Sequence, residues 1–205
     1  MVRLEINPVN PHERYIRRAV QILGDGGLVI YPTDTVYGLG CNLFNKRAVE
    51  KIYQLKGSKK KKLLSFICPD LKDIAKYAHV STPAYKIMRH LTPGPYTFLL
   101  EATRLVPKIL LEKKSTVGIR VPDNVISLTL LREFGNPIIS TSATLAENPY
   151  LNDPDEIAAT FAHIADLFLD SGFGGTDPST ILDLSGAEPE LIREGKGIEK
   201  VLALR

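Results

Sequence analysis

The stretch that most constrains this chain runs from Leu28 to Asn42: Leu-Val-Ile-Tyr-Pro-Thr-Asp-Thr-Val-Tyr-Gly-Leu-Gly-Cys-Asn. Leu28 to Tyr31 is an apolar run of strand character, and Pro32, which has no N–H for a sheet ladder, ends it. Thr33, Asp34 and Thr35 follow at once. Gly38 and Gly40 then let the backbone turn tightly or approach a ligand closely. A strand that delivers hydroxyls and a carboxylate to its carboxyl end, followed by glycines, is where an α/β protein places a ligand. Spacing alone equally allows an ordinary strand-turn unit whose polar residues face water.

Around this stretch, helical and strand patterns alternate. Ile16, Ala19, Val20 and Leu23 recur at helical spacing, and Gly26-Gly27 closes that helix. Asn45 is placed to cap a second helix reaching Leu55. Leu63 to Cys68 reads as a strand, Asp70 opens a short helix, and Pro83 takes the first position of the next. Thr92-Pro93-Gly94-Pro95 is a stop before a strand over Tyr96 to Leu100, with a short helix expected over Val106 to Glu112. Thr116 to Val121 is a strand, Asp123 to Phe134 a helix, Pro137 to Ser140 a strand and Asp153 to His163 a helix. Leu167 to Asp170, Thr180 to Leu184 and Leu191 to Arg193 read as closing strands, with a last helix near Ile198 to Leu202. This order predicts a layered α/β domain with a mixed sheet, without a linker or repeat, so one domain over residues 1–205.

The bulk properties exclude several classes. An apolar fraction of 44% and a charged fraction of 24% fit a soluble globular chain of 205 residues. No apolar run reaches the roughly 20 residues that a bilayer span requires, and the first residues lack the apolar core of a secretory signal. Cys41 and Cys68 stand apart, and four scattered histidines form no ligand pair, so no metal site is expected and a reducing cytoplasm fits. The net charge of +3 is modest, but Lys56 and Lys59 to Lys62 make one dense basic run. Such a run can be a solvated loop, a lid over phosphates or an RNA contact.

Small polar or cationic groups recur at strand ends: Thr33-Asp34-Thr35, Thr97, Arg120, Ser140 to Thr144, Ser179-Thr180 and Arg193. Hydroxyls beside arginines suit carboxylate and phosphate recognition. Ser-His-Asp, G-x-S-x-G, Walker A and G-x-G-x-x-G patterns are all missing from the chain. Gly172 to Gly175 has none of their spacings and reads as a mobile connection.

Five ordered segments carry a resemblance. Tyr31 to Gly40, Thr92 to Thr97 (Thr-Pro-Gly-Pro-Tyr-Thr), Gly118 to Pro122 (Gly-Ile-Arg-Val-Pro), Ser179 to Ile181, and Ile192 to Gly195 together resemble the YrdC/YciO family. The resemblance implies a twisted mixed sheet flanked by helices around a large, basic, concave cavity. It also implies synthesis of threonylcarbamoyl-adenylate (threonylcarbamoyl-AMP) from L-threonine, bicarbonate and ATP, with pyrophosphate released and Mg²⁺ bridging phosphates. A partner complex would then transfer the threonylcarbamoyl group to tRNA, giving t6A. By the same resemblance, Thr33, Arg120, Ser140 and Thr180 would form the threonine pocket. Thr97, Ser142, Thr144 and Arg193 would line the nucleotide side, with Lys56 and Ser58 near its phosphates. Lys56, Arg120 and Ser142 are the expected catalytic set. Fixed positive charge is what joining two anions, carbamate and ATP, requires.

The chain departs from the synthase pattern at three places. Ser58 replaces the arginine of a Lys-x-Arg pair, Thr144 replaces the asparagine of Ser-x-Asn, and Ile67 stands for a histidine. Together these resemble the YciO branch. Each lost charge-assisted hydrogen bond is worth about 1.5–3 kcal/mol, about 10- to 150-fold in affinity or rate, so the expectation is weak synthase activity. The alternatives are a double-stranded RNA or tRNA binder using the same cavity, and an enzyme of this fold with another amino acid or carbamoyl donor.

Overall fold

The computed structural model describes residues 1–55, 64–72, 74–107, 110, 115–145 and 148–204. In chain order the strands are β1 (Val2–Glu5), β2 (Val29–Tyr31), β3 (Gly38–Asn42), β4 (Ser65–Ile67), β5 (Ala78–His79) and β6 (Tyr96–Ala102). They continue as β7 (Thr116–Arg120), β8 (Ile138–Ser142), β9 (Leu167–Asp170), β10 (Thr180–Asp183) and β11 (Glu190–Arg193). The helices are α1 (Glu13–Gly24), α2 (Lys46–Leu55), α3 (Thr82–Leu91), α4 (Val125–Phe134), α5 (Pro154–Phe161) and α6 (Ile198–Leu202).

Among the described residues all eleven strands join one mixed sheet in the order β1-β9-β2-β3-β8-β4-β7-β6-β10-β11, with β5 on the side of β6. Parallel pairs (β1 with β9, β2 with β9, β4 with β7, β6 with β10) are mixed with antiparallel ones such as β3 with β8. Side-chain alternation divides the sheet into two faces. Ile30, Phe66, Phe98, Ile119 and Ile139 point into the larger core, shared with α2, α3 and α5. Their neighbours Val29, Tyr31, Ile67 and Ile138 point to the other face, which α1 and α4 cover. That second core takes no residue from β6, β7 or β10. The part of this face that no described helix covers is where the site forms.

Most expected elements are present, and the exceptions have physical causes. Gly38 to Asn42 is a central strand, not a turn, paired with β2 on one side and β8 on the other. The missing Cβ atoms make room for the protein itself. A Cβ at Gly40 would sit 2.8 Å from Tyr31 Cε1 and 2.5 Å from Ile138 Cγ2. Strand β1, unmarked in sequence because three of its four residues are exposed, adds to the sheet edge beside β9. The short helix expected from Asp70 is a 3₁₀ turn over Ile74–Lys76. The Pro137 to Ser140 strand extends to Ser142. Leu63 and most of the helix expected over Val106 to Glu112 lie outside the described residues. Gly174 and Gly175 are not a loose connection: their N–H groups donate to Asn152 O at 2.9 Å and Thr35 O at 3.0 Å.

Candidate active site

The floor of the site is a row of small residues on neighbouring strands. Ser140 on β8 pairs with Gly40 on β3 and with Ser65 on β4, and Ser65 pairs with Gly118 on β7. On β6, Thr97 closes the row: a Cβ on Gly118 would meet Ser65 Oγ at 3.1 Å and Thr97 Cγ2 at 3.3 Å. Where α1 and α4 no longer cover the sheet, short side chains leave a cavity of about 120 Å³. Its walls include Thr33, Thr35, Ser65, Thr97, Arg120, Ser140, Ser142, Ser179 and Arg193. That enclosed space is smaller than the roughly 300–1,000 Å³ of pockets for drug-sized ligands, so it suits a small molecule or one end of a larger one.

Several wall residues are held from behind. Tyr31, fully buried beneath β3, donates its phenol O–H to Ser140 Oγ at 2.7 Å. Burial pushes that phenol well above its ordinary range, so it keeps its proton and stays a donor. Ser140 is thereby left to direct its own O–H elsewhere. Thr33 Oγ1 donates to Val36 O at 2.7 Å and accepts from Thr35 N at 3.0 Å, which fixes the turn after β2. Ser179 gathers the far wall: its Oγ meets Thr97 Oγ1 at 2.9 Å, and its O accepts from Arg193 Nε and Nη2 at 3.0 and 2.7 Å.

Among the described residues two cations face this cavity, and no carboxylate lines it. Arg120, buried at the end of β7, pairs with Asp34 through Nη2 to Oδ1 at 2.5 Å. Arg193 has no carboxylate partner among the described residues. Burial first, and the charge of Arg120 second, draw its guanidinium below the usual arginine range. Two guanidinium groups pressing on one another favour an anion between them.

Of the residues singled out from sequence, Thr33, Thr97, Arg120, Ser140, Ser142 and Arg193 line one cavity. Thr180 does not. It is fully buried, donates to Lys196 O at 3.0 Å and accepts from Gly195 N at 3.1 Å, while its neighbour Ser179 takes the wall position. Thr144 also stands behind the wall and donates to Ser142 Oγ at 3.1 Å. Lys56, Ser58 and the run Lys59 to Lys62 lie outside the described residues. Sequence reasoning missed Ser65, Tyr31 and Lys196. Ser65 carried a signal, a lone hydroxyl in the apolar run Leu63 to Cys68. Lys196, whose Nζ donates to Asp34 O at 2.6 Å, carried none.

The pattern of the Sua5/YciO/YrdC family, described as telomere recombination, matches residues 21–195. The YciO protein of Escherichia coli (strain K12) is 39% identical over 194 residues, 94% of each chain. The crystal structure of E. coli YciO superposes with a TM-score of 0.91, covering 96% of this chain and 97% of that one. A threonylcarbamoyl-AMP synthase of Bos taurus is 32% identical over 197 residues, 92% of this chain and 71% of the synthase. The crystal structure of P. abyssi Sua5 complexed with L-threonine superposes with a TM-score of 0.89 at 29% identity, over 98% of this chain and 61% of that one. A mixed sheet flanked by helices is thus shared with these solved structures. The chain belongs to the Sua5/YciO/YrdC family.

Proposed function

We propose that this chain is a threonylcarbamoyl-AMP synthase-like enzyme of the cytoplasm, using L-threonine, bicarbonate and ATP and releasing pyrophosphate and water. One observation carries the reading: Thr33, Thr97, Arg120, Ser140, Ser142 and Arg193, drawn from distant parts of the chain, meet at one small cavity. The synthase relative and the threonine-bound P. abyssi structure supply the chemistry that such a cavity suits.

In this reading Arg120 binds the amino-acid carboxylate, with Thr33 and Ser140 completing the pocket. The Ser140 hydroxyl, freed by Tyr31 to act as a donor, points to a ligand acceptor. Arg193, held by Ser179 and short of a counter-ion, draws the anionic nucleotide side, with Thr97 and Ser142 beside it. In this reading the small cavity takes the amino acid, and the adenylate extends through its open mouth. Mg²⁺ arrives with the nucleotide, held by phosphate oxygens and water. Among the lining residues the side-chain oxygens are all hydroxyls. Two guanidinium groups then hold carbamate and triphosphate together against their mutual repulsion. The tRNA-modification partners of the family are part of this proposal. The alternative, a double-stranded RNA or tRNA binder using the same cavity, draws on its positive charge, to which Arg120 and Arg193 contribute; Lys59 to Lys62 lie outside the described residues.

The test is pyrophosphate release from the whole chain with single omissions. Release should require threonine, bicarbonate, ATP and Mg²⁺ together. Release that persists without threonine overturns the reading. Ser58→Arg combined with Thr144→Asn should then raise the rate tenfold or more, restoring two donors worth about 1.5–3 kcal/mol each.

A further inference from the structure

The Asp34–Arg120 pair is incomplete as a structural ion pair. Each side chain is 9% exposed, and the pair closes through one prong, Nη2 to Oδ1 at 2.5 Å. Arginine and carboxylate ordinarily meet through two parallel bonds. Here Arg120 Nε and Asp34 Oδ2 are buried without a partner, and among the described residues they are the only side-chain atoms in that condition. A buried ion pair stabilises a fold only when its remaining donors and acceptors are also satisfied.

The neighbours do not fill the gap. Thr33 Oγ1 stands 3.5 Å from Arg120 Nη2, not from Nε. Lys196 Nζ donates to the backbone O of Asp34 at 2.6 Å and leaves the carboxylate alone. The backbone carrying Asp34 is pinned by that contact, by Thr33 to Val36, and by Gly175 N to Thr35 O at 3.0 Å. The carboxylate is not itself in the cavity wall: it is held by one bond to Arg120 Nη2 and must turn to meet a ligand there. Arg120 lines the cavity, and Asp34 sits between two wall residues, Thr33 and Thr35.

What the pair lacks is one acceptor for Nε and one donor for Oδ2. A simple carboxylic acid supplies the first alone, and an amine the second alone. An α-amino acid zwitterion carries both groups on one carbon. We propose that Asp34 is a specificity-determining residue of this site, accepting a hydrogen bond from the α-ammonium of the amino acid whose carboxylate lies on Arg120. This rests on the amino-acid reading above and adds to it a residue that reads the amine. Asp34 selects amino acids over hydroxy acids of the same shape, and Arg120 selects acids over amides.

Calorimetric titration of the full chain with L-threonine and with (R)-3-hydroxybutyrate, its counterpart without the amine, tests this in wild type and in Asp34→Asn. The wild type should prefer threonine tenfold or more, and Asp34→Asn should reduce the preference to about threefold or less while still binding the hydroxy acid. Should Asp34→Asn fail to fold, Asp34→Ala removes both carboxylate oxygens with less bulk. Equal binding of both compounds by the wild type, or a preference retained in the folded variant, overturns the assignment alone. No threonine binding by the wild type overturns the proposed function, and this assignment with it.

Discussion

Tyr31 shows how much of the site depends on single atoms outside it. Its ring crosses beneath β3 at the two glycines and ends 2.7 Å from Ser140 Oγ. Because burial keeps the phenol protonated, one atom decides which way a wall hydroxyl points. Tyr31→Phe keeps the ring packing and removes that donor. A neutral hydrogen bond is worth about 0.5–1.5 kcal/mol net, so threonine affinity should fall about 2- to 12-fold by calorimetry with the fold retained. Unchanged affinity would mean that Ser140 does not contact the ligand. Nothing about this pairing is written in the local sequence. Tyr31 and Ser140 lie 109 residues apart, as Asp34 and Arg120 lie 86 apart, and only the sheet order brings them together. The motif residues themselves were legible because strand ends rich in hydroxyls and arginine are uncommon.

Among the elements, β3 is the one that the sequence hides and the fold depends on. Gly-Leu-Gly has poor strand propensity, so a reading by propensity makes it a turn. In the fold the same glycines admit the Tyr31 ring and Ile138 against the strand. Gly40→Ala should therefore destabilise the protein by about 1–3 kcal/mol through overpacking, measured as a lower urea midpoint. Gly24→Ala is the control. Nothing lies within 4 Å of a Cβ there, so the midpoint should hold or rise slightly. Equal effects of the two changes would contradict the packing account. Strands that are apolar throughout, such as Val29 to Tyr31, were legible because both faces have an apolar partner. Strand β1 was not, because its place comes from the edge of β9 and not from its own composition. Ser65 enters the site for the same reason: register with Ser140 and Gly118, not propensity, puts it on the floor.

On the scale of the whole molecule, the cores on both faces hold groups that keep their protons. Burial pushes the Cys41 thiol up to about 12, and raises the Tyr31, Tyr37 and Tyr96 phenols as well. In the unfolded chain the thiol ionises near 9.0 and the phenols near 10.0. Above about pH 9 the folded state thus binds more protons than the unfolded one, and stability falls as pH rises. The contribution is fully present below the ordinary thiol value and is lost on the way up to the folded one. The slope should approach 1.4 kcal/mol per pH unit, to order of magnitude, for each fully buried group. Urea midpoints taken from about pH 7 to pH 11 should be level at first and then decline, and a flat profile would contradict the burial of these groups.

The same sheet that buries these groups leaves one stretch of one face open, where two guanidinium groups and a row of hydroxyls meet. The central claim is that this opening joins an amino acid, carbon dioxide equivalents and an adenylate. Incubation of the whole chain with L-threonine, ATP, Mg²⁺ and ¹³C-bicarbonate, followed by mass spectrometry, tests it most directly. The account predicts an adenylate that carries both threonine and one ¹³C atom. An adenylate without the label, or no threonine-containing adenylate at all, would contradict it.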